Sequence, residues 1–85
     1  MKYIFVDESW EDYLYWQKTD KKILNKINEL LKDISITPFA GKGKPEPLKY
    51  KYIGFWSRRI DHEHRLIYQV KDDEIRIAKC RYHYD

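Results

Sequence analysis

Two runs of β-forming residues, Phe55–Ile60 and Arg65–Val70, flank a short polar stretch, Asp61–His64, and constrain this chain more than any other feature. Aromatic and β-branched residues dominate both runs. The second run alternates, with Leu66, Tyr68 and Val70 on one face and Arg65, Ile67 and Gln69 on the other. The spacing predicts an antiparallel β-hairpin, whose first strand sets Phe55, Ser57 and Arg59 opposite Trp56, Arg58 and Ile60. Arg58, Arg59 and Arg65 then fall within eight residues. Any one of them reads equally well as a solvated side chain lying over an aromatic. Three together favour an anion site, because the guanidinium fork matches phosphate oxygens.

The remaining segments read as scaffold. Tyr3–Val6 is a run of β-formers and a strand candidate. Asp7 or Ser9 can cap a helix running to about Gln17, with Trp10, Tyr13, Leu14 and Gln17 on its packed face. Thr19 and Asp20 signal a second cap. The helix from Lys21 to about Ile34 carries Ile23, Ile27, Leu30, Leu31 and Ile34 on one face and Lys22, Lys26, Glu29 and Asp33 on the other. So short a connection implies an antiparallel helical hairpin. Lys71–Glu74 reads as a polar turn, and Ile75–Tyr82 as a last strand antiparallel to Arg65–Val70. The fold class expected is α+β: an N-terminal strand, a two-helix hairpin, then antiparallel C-terminal strands in one twisted sheet. At 85 residues the chain is expected to form one domain over 1–85, near the lower limit for independent stability.

The net charge is +3, unevenly spread. Residues 1–40 carry six lysines against seven acids, whereas residues 41–85 carry eleven Lys/Arg against seven acids, with seven of the 14 aromatics and all three histidines. Basic residues interleaved with aromatics suit a polyanion with exposed bases, preferably RNA. They also suit plain surface over core. The one cysteine, Cys80, excludes an internal disulfide, and Tyr3–Val6 is too short for a signal or membrane segment, so a cytoplasmic protein is expected.

Between Thr37 and Leu48 fall all three prolines and two of the three glycines. Gly41-Lys42-Gly43-Lys44 lacks the spacing of a nucleotide-binding loop, but as a flexible basic loop it could approach a polyanion. Pro45-Glu46-Pro47 is more specific: Pro45 fixes its own φ, and Pro47 holds Glu46 extended. A carboxylate so braced is mounted as a general base should be. Leu48–Ile53 is expected to add a strand or an ordered bridge into the hairpin. His83, at the end of the last strand, is either a surface group or a proton donor at a cleft rim. His62-x-His64 invites a metal, but no third ligand completes the set, so neither metal nor cofactor is expected. Cleaving RNA by attack of a 2′-OH on the adjacent phosphate needs a base, a cation and an acid. Glu46, Arg65 (aided by Arg59 and Lys49) and His83 can fill those roles.

The residues Glu8-Ser9-Trp10, Asp12-Tyr13-Leu14-Tyr15-Trp16-Gln17, Lys26-Ile27-Asn28-Glu29-Leu30 and Gly41 to Lys49 give the chain a resemblance along nearly its whole length. It continues in Gly54 to Ile60, Glu63-His64-Arg65-Leu66 and Cys80-Arg81-Tyr82-His83-Tyr84. The chain resembles the YoeB toxins of the RelE/ParE superfamily, bacterial ribosome-dependent mRNA endonucleases of type II toxin–antitoxin pairs. The resemblance implies a RelE/ParE-like fold, with Glu46 as general base, Arg65 as transition-state stabiliser and His83 as general acid. It implies that Tyr84 positions substrate, with Lys49, Arg59 and Glu63 in support. It implies mRNA and the 70S ribosome as partners, a YefM-type antitoxin that covers the active site, and no membrane; a homodimer is compatible with it. Tyr50–Ile53 departs from the family's versions of that segment, and Asp85 extends past the usual terminal His-Tyr. The alternative is a ParE-like or non-catalytic binding module acting on a topoisomerase or the ribosome, which would have no need of Glu46, Arg65 and His83 together.

Overall fold

The computed structural model describes residues 1–83; the expected roles of Tyr84 and Asp85 lie outside the described residues. Strand β1 (Lys2–Phe5) leads into helices α1 (Asp7–Thr19) and α2 (Lys21–Ile36). Then follow β2 (Glu46–Pro47), a 3-10 turn (Tyr50–Tyr52), β3 (Trp56–Arg59), β4 (Arg65–Lys71) and β5 (Glu74–Lys79). The five strands form one sheet in the order β1-β5-β4-β3-β2. Strand β1 runs parallel to β5, and the other neighbours are antiparallel. The expected α+β architecture is therefore present, with the N-terminal strand joined to the edge of the C-terminal sheet.

Helix α2 forms as its pattern requires. Asp20 accepts hydrogen bonds from the N–H groups of Lys22 and Ile23, and Ile27, Leu30, Leu31 and Ile34 are buried. Each fully buried Ile or Leu contributes about 1.5–3 kcal/mol, so packing on the sheet, more than propensity, holds the helix. Helix α1 departs from expectation. Neither Asp7 nor Ser9 caps it: Val6 holds the cap position without a side-chain bond, and the Ser9 hydroxyl donates to Val6 O. Its buried residues are Ser9 and Trp16, whereas Trp10 is 47% exposed. The packed face is turned because the chain end lies against it. Trp16 Nε1–H donates to Cys80 O, and Cys80 N–H donates to Asp12 Oδ2.

The same capture shortens the last strand, which ends at Lys79 and not at Tyr82. The β4–β5 register slips by one residue between Ile67 and Tyr68, and Asp72 and Asp73, both at positive φ, make the tight turn between the two strands. The segment Leu48–Ile53 is an ordered bridge built on the 3-10 turn, and β2 is instead the braced Glu46–Pro47 pair. No helix among the described residues is long and apolar enough to cross a membrane.

Candidate active site

Strand register puts three of the predicted residues, Glu46, Arg59 and Arg65, on a common face. Side chains of cross-strand partners share a face, as do those at i and i+2. Glu46 pairs with Ser57, Ser57 with Ile67, and Arg59 with Arg65. Glu46, Arg59 and Arg65 therefore issue from the sheet face opposite the one that packs on the helices. With ordinary strand spacing, the Glu46 backbone stands about 8 Å from Arg59 and about 12 Å from Arg65. Glu46 and Arg59 are exposed, while Arg65 retains only 9% exposure. Arg65 Nη1 donates to Asp61 O and to His64 O at 2.7 and 3.0 Å, which fixes the side chain against its own turn.

That turn is organised by Asp61. Its carboxylate accepts from the N–H groups of Glu63 and His64 at 2.8 and 2.7 Å. Burial would push its pKa up, but these two N–H donors outweigh burial and hold it below the ordinary 3.8. The chain end docks on the same corner. Tyr82, at φ 64°, donates from its N–H to His64 Nδ1 at 2.8 Å, and Arg65 N–H donates to Tyr82 O at 3.0 Å. His83 follows as an exposed residue. Because a backbone N–H can only donate, His64 Nδ1 carries no proton here, and Nε2 stands 3.6 Å from Glu63 Oε1. Lys49, exposed, precedes the 3-10 turn next to β2.

Two expectations are corrected. Arg58 does not offer its charge to an anion. It is completely buried, with Nε donating to Tyr68 Oη, Nη1 to Asp33 Oδ2 and Lys42 O, and Nη2 to Thr37 O and Ala40 O. Asp33, placed on the solvent face of α2 by its spacing, is the other half of this pair. The Gly41–Lys44 loop is likewise not a loose basic arm. Lys42 Nζ pairs with Glu29 at 3.0 Å, and Arg59 N–H donates to Gly43 O at 2.6 Å. A Cβ at Gly43 would meet Arg59 O and Leu30 at 3.0 Å, so the glycine permits close packing.

The anchoring of Tyr82 by His64 is not legible in the sequence, where His62-x-His64 suggests only a metal pair. The spacing of His64 to Tyr82 carries no local signal. Among the described residues no group of three His, Cys, Asp or Glu is placed to hold a metal ion. Cys80 is buried, and burial pushes its thiol up, so it is no nucleophile at neutral pH.

Residues 5–84 match the model of the YoeB-like toxins of bacterial type II toxin–antitoxin systems. The chain is 68% identical over 84 residues to Toxin YoeB of Escherichia coli (strain K12), covering 99% of this chain and 100% of that one. Among solved structures it is similar to the YoeB/ParE toxin from Agrobacterium tumefaciens, with TM-score 0.96, 48% identity and coverage of 99% and 100%. It is also similar to the toxin in the heterotetrameric YoeB–YefM toxin–antitoxin complex from Staphylococcus aureus, with TM-score 0.92, 52% identity and coverage of 99% and 98%. On a match over nearly its whole length, this chain belongs to the YoeB family of bacterial type II toxins.

Proposed function

We propose that the protein is an endoribonuclease that cuts translated mRNA in the ribosomal A site, inhibiting translation in the cytoplasm. The observation that carries this reading is the pairing of Arg59 with Arg65 directly across β3 and β4, on the same sheet face as Glu46 and two residues along from its row. Like charges set opposite one another on a sheet destabilise it, and an anion between them reverses that sign. A scissile phosphate is such an anion.

In this reading Glu46 takes the proton of the 2′-OH, whose oxygen attacks the adjacent phosphorus. Arg65, with Arg59 and Lys49, compensates charge on the phosphorane, and Glu63 and Tyr84 support placement of the substrate. The bond from phosphorus to the 5′ oxygen breaks, and His83 gives that oxygen a proton. The products are a 2′,3′-cyclic phosphate and a 5′-hydroxyl. The brace of Pro45 and Pro47 and the backbone bonds on Arg65 reduce the reorganisation needed at reaction.

The partners in this reading are mRNA, the 70S ribosome and a YefM-type antitoxin, such as accompanies the toxin in the heterotetrameric Staphylococcus aureus complex, and a homodimer is compatible with it. Brief induction followed by mapping of mRNA 5′ ends tests it. Cuts within translated frames are expected for the wild-type protein and not for Glu46→Ala. Intact messages with a DNA-damage response would contradict it.

A further inference from the structure

We infer that the 3-10 turn and its neighbours form a nucleobase-binding subsite, in which Tyr50 and Tyr52 receive an unpaired RNA base beside the reacting phosphate. The inference rests on the reading of Glu46 as part of an RNA-cleaving centre and adds to it the groups that select the substrate.

The first observation is a shared cavity. A hollow of about 320 Å³ is lined by Glu46, Lys49, Tyr50, Lys51 and Tyr52 among others, so the proposed base and two aromatic rings border the same space. That volume lies at the small end for ligand sites, about right for one base with its sugar. A second cavity of about 570 Å³, lined by residues of α1 and Arg81, holds none of the predicted catalytic groups.

The second observation concerns Tyr50 itself. Its side chain contributes nothing to the core, because the residue is 89% exposed. Its backbone sits at φ 57°, a left-handed conformation costly for a residue with a Cβ. The surroundings enforce that conformation: Leu48 N–H donates to Phe55 O, Tyr52 N–H to Lys49 O, Ile53 N–H to Tyr50 O and Phe55 N–H to Tyr52 O. The chain thus presents an aromatic ring to solvent on a rigid support. Tyr52 is half-buried and held by two neighbours, with the Phe55 ring at 6.2 Å in a T-shaped contact and Lys51 Nζ at 5.4 Å from its centroid.

The chemistry selects the occupant. Aromatic faces stack bases with little regard to their identity, and the ammonium groups of Lys49 and Lys51 suit the phosphates on either side. An acidic peptide would also find the lysines, but its carboxylates alone leave the two rings unused. A single-stranded RNA base with its flanking phosphates uses every group present.

Equilibrium binding of a fluorescein-labelled RNA pentanucleotide, 2′-O-methylated at its central sugar to prevent cleavage, tests the subsite. The companion probe lacks the central base. The wild-type protein should bind the intact probe roughly ten-fold more tightly than the abasic one, as expected for loss of one base–aromatic stack. Tyr50→Asn keeps a residue that tolerates positive φ, and should lose most of that preference while melting at the wild-type temperature. Tyr50→Phe should retain it. Equal binding of both probes by the wild-type protein, absence of binding to either, or an unchanged preference in Tyr50→Asn would overturn the inference. Cleavage by Glu46→Ala is scored separately: an active Glu46→Ala would remove the catalytic reading, whereas an inactive one with no base preference in the wild type removes only the subsite.

Discussion

The fully buried guanidinium of Arg58 meets the carboxylate of Asp33 at 2.5 Å, tying β3 to α2 across the loop that delivers Glu46. Three carbonyls of that loop, from Thr37, Ala40 and Lys42, accept from the same guanidinium, and Tyr68 Oη completes the set by donating to Pro38 O. The structure thus uses one buried charge to fix the path of residues 37–44. Removing the buried guanidinium leaves the half-buried Asp33 carboxylate and the loop carbonyls without their donor. Arg58→Ala should therefore destabilise the protein by about 3–5 kcal/mol in urea unfolding. A loss below about 1 kcal/mol, the value of an exposed pair, would show that the network contributes little.

Acid should weaken the same network. The Lys42 backbone N–H and, after it, the Arg58 hydrogen bond hold the Asp33 carboxyl below its ordinary 3.8. A carboxylate depressed in the folded state contributes stability that is present above its unfolded pKa and is lost as pH falls through the folded one. Wild-type stability should therefore drop steeply as pH is lowered below about 4. Asp33→Asn should be less stable at pH 7 and should show a shallower slope in that acid window. Parallel stability–pH curves for the two proteins would exclude Asp33 as a contributor.

His64 and Tyr82 provide a second test, aimed at activity. The imidazole Nδ1 is the acceptor for the N–H that fixes the residue before His83. His64→Phe keeps a ring against Trp16, whose centroid lies 4.7 Å away, but offers no acceptor. Ribosome-dependent cleavage should fall on the order of 10- to 100-fold in kcat, with KM nearly unchanged, because misplacement of a catalytic group by about 1 Å costs that much. A rise in KM with kcat intact would place His64 in substrate binding instead.

How much of this was legible in the sequence depended on whether the controlling interaction was local. The stripe of α2, the Asp20 cap and the β4–β5 turn were legible, because periodicity and capping act within a few residues. The face of α1 was not. Trp10 and Trp16 are equally apolar in sequence, and the choice between them is made by Cys80, 64 residues beyond Trp16. Arg58 and Arg59 are neighbours of the same chemistry, yet alternation of the strand sends one into a cage of carbonyls and leaves the other exposed. The sequence shows the alternation but not the five acceptors waiting on one side. The extended backbone at Glu46 was legible because two prolines set it locally, whereas the face that Glu46 shares with Arg65 needed the register of three strands.

The proposed cleavage requires Glu46 and His83 to act as base and acid at one phosphate. Single-turnover cleavage of a defined mRNA on programmed ribosomes, by wild type, Glu46→Ala and His83→Ala with matched melting temperatures, tests it most directly. Each substitution should slow cleavage by about 10²- to 10⁴-fold, the usual worth of a positioned acid or base, with wild-type cuts ending in a 2′,3′-cyclic phosphate. Wild-type rates in both folded variants would contradict it.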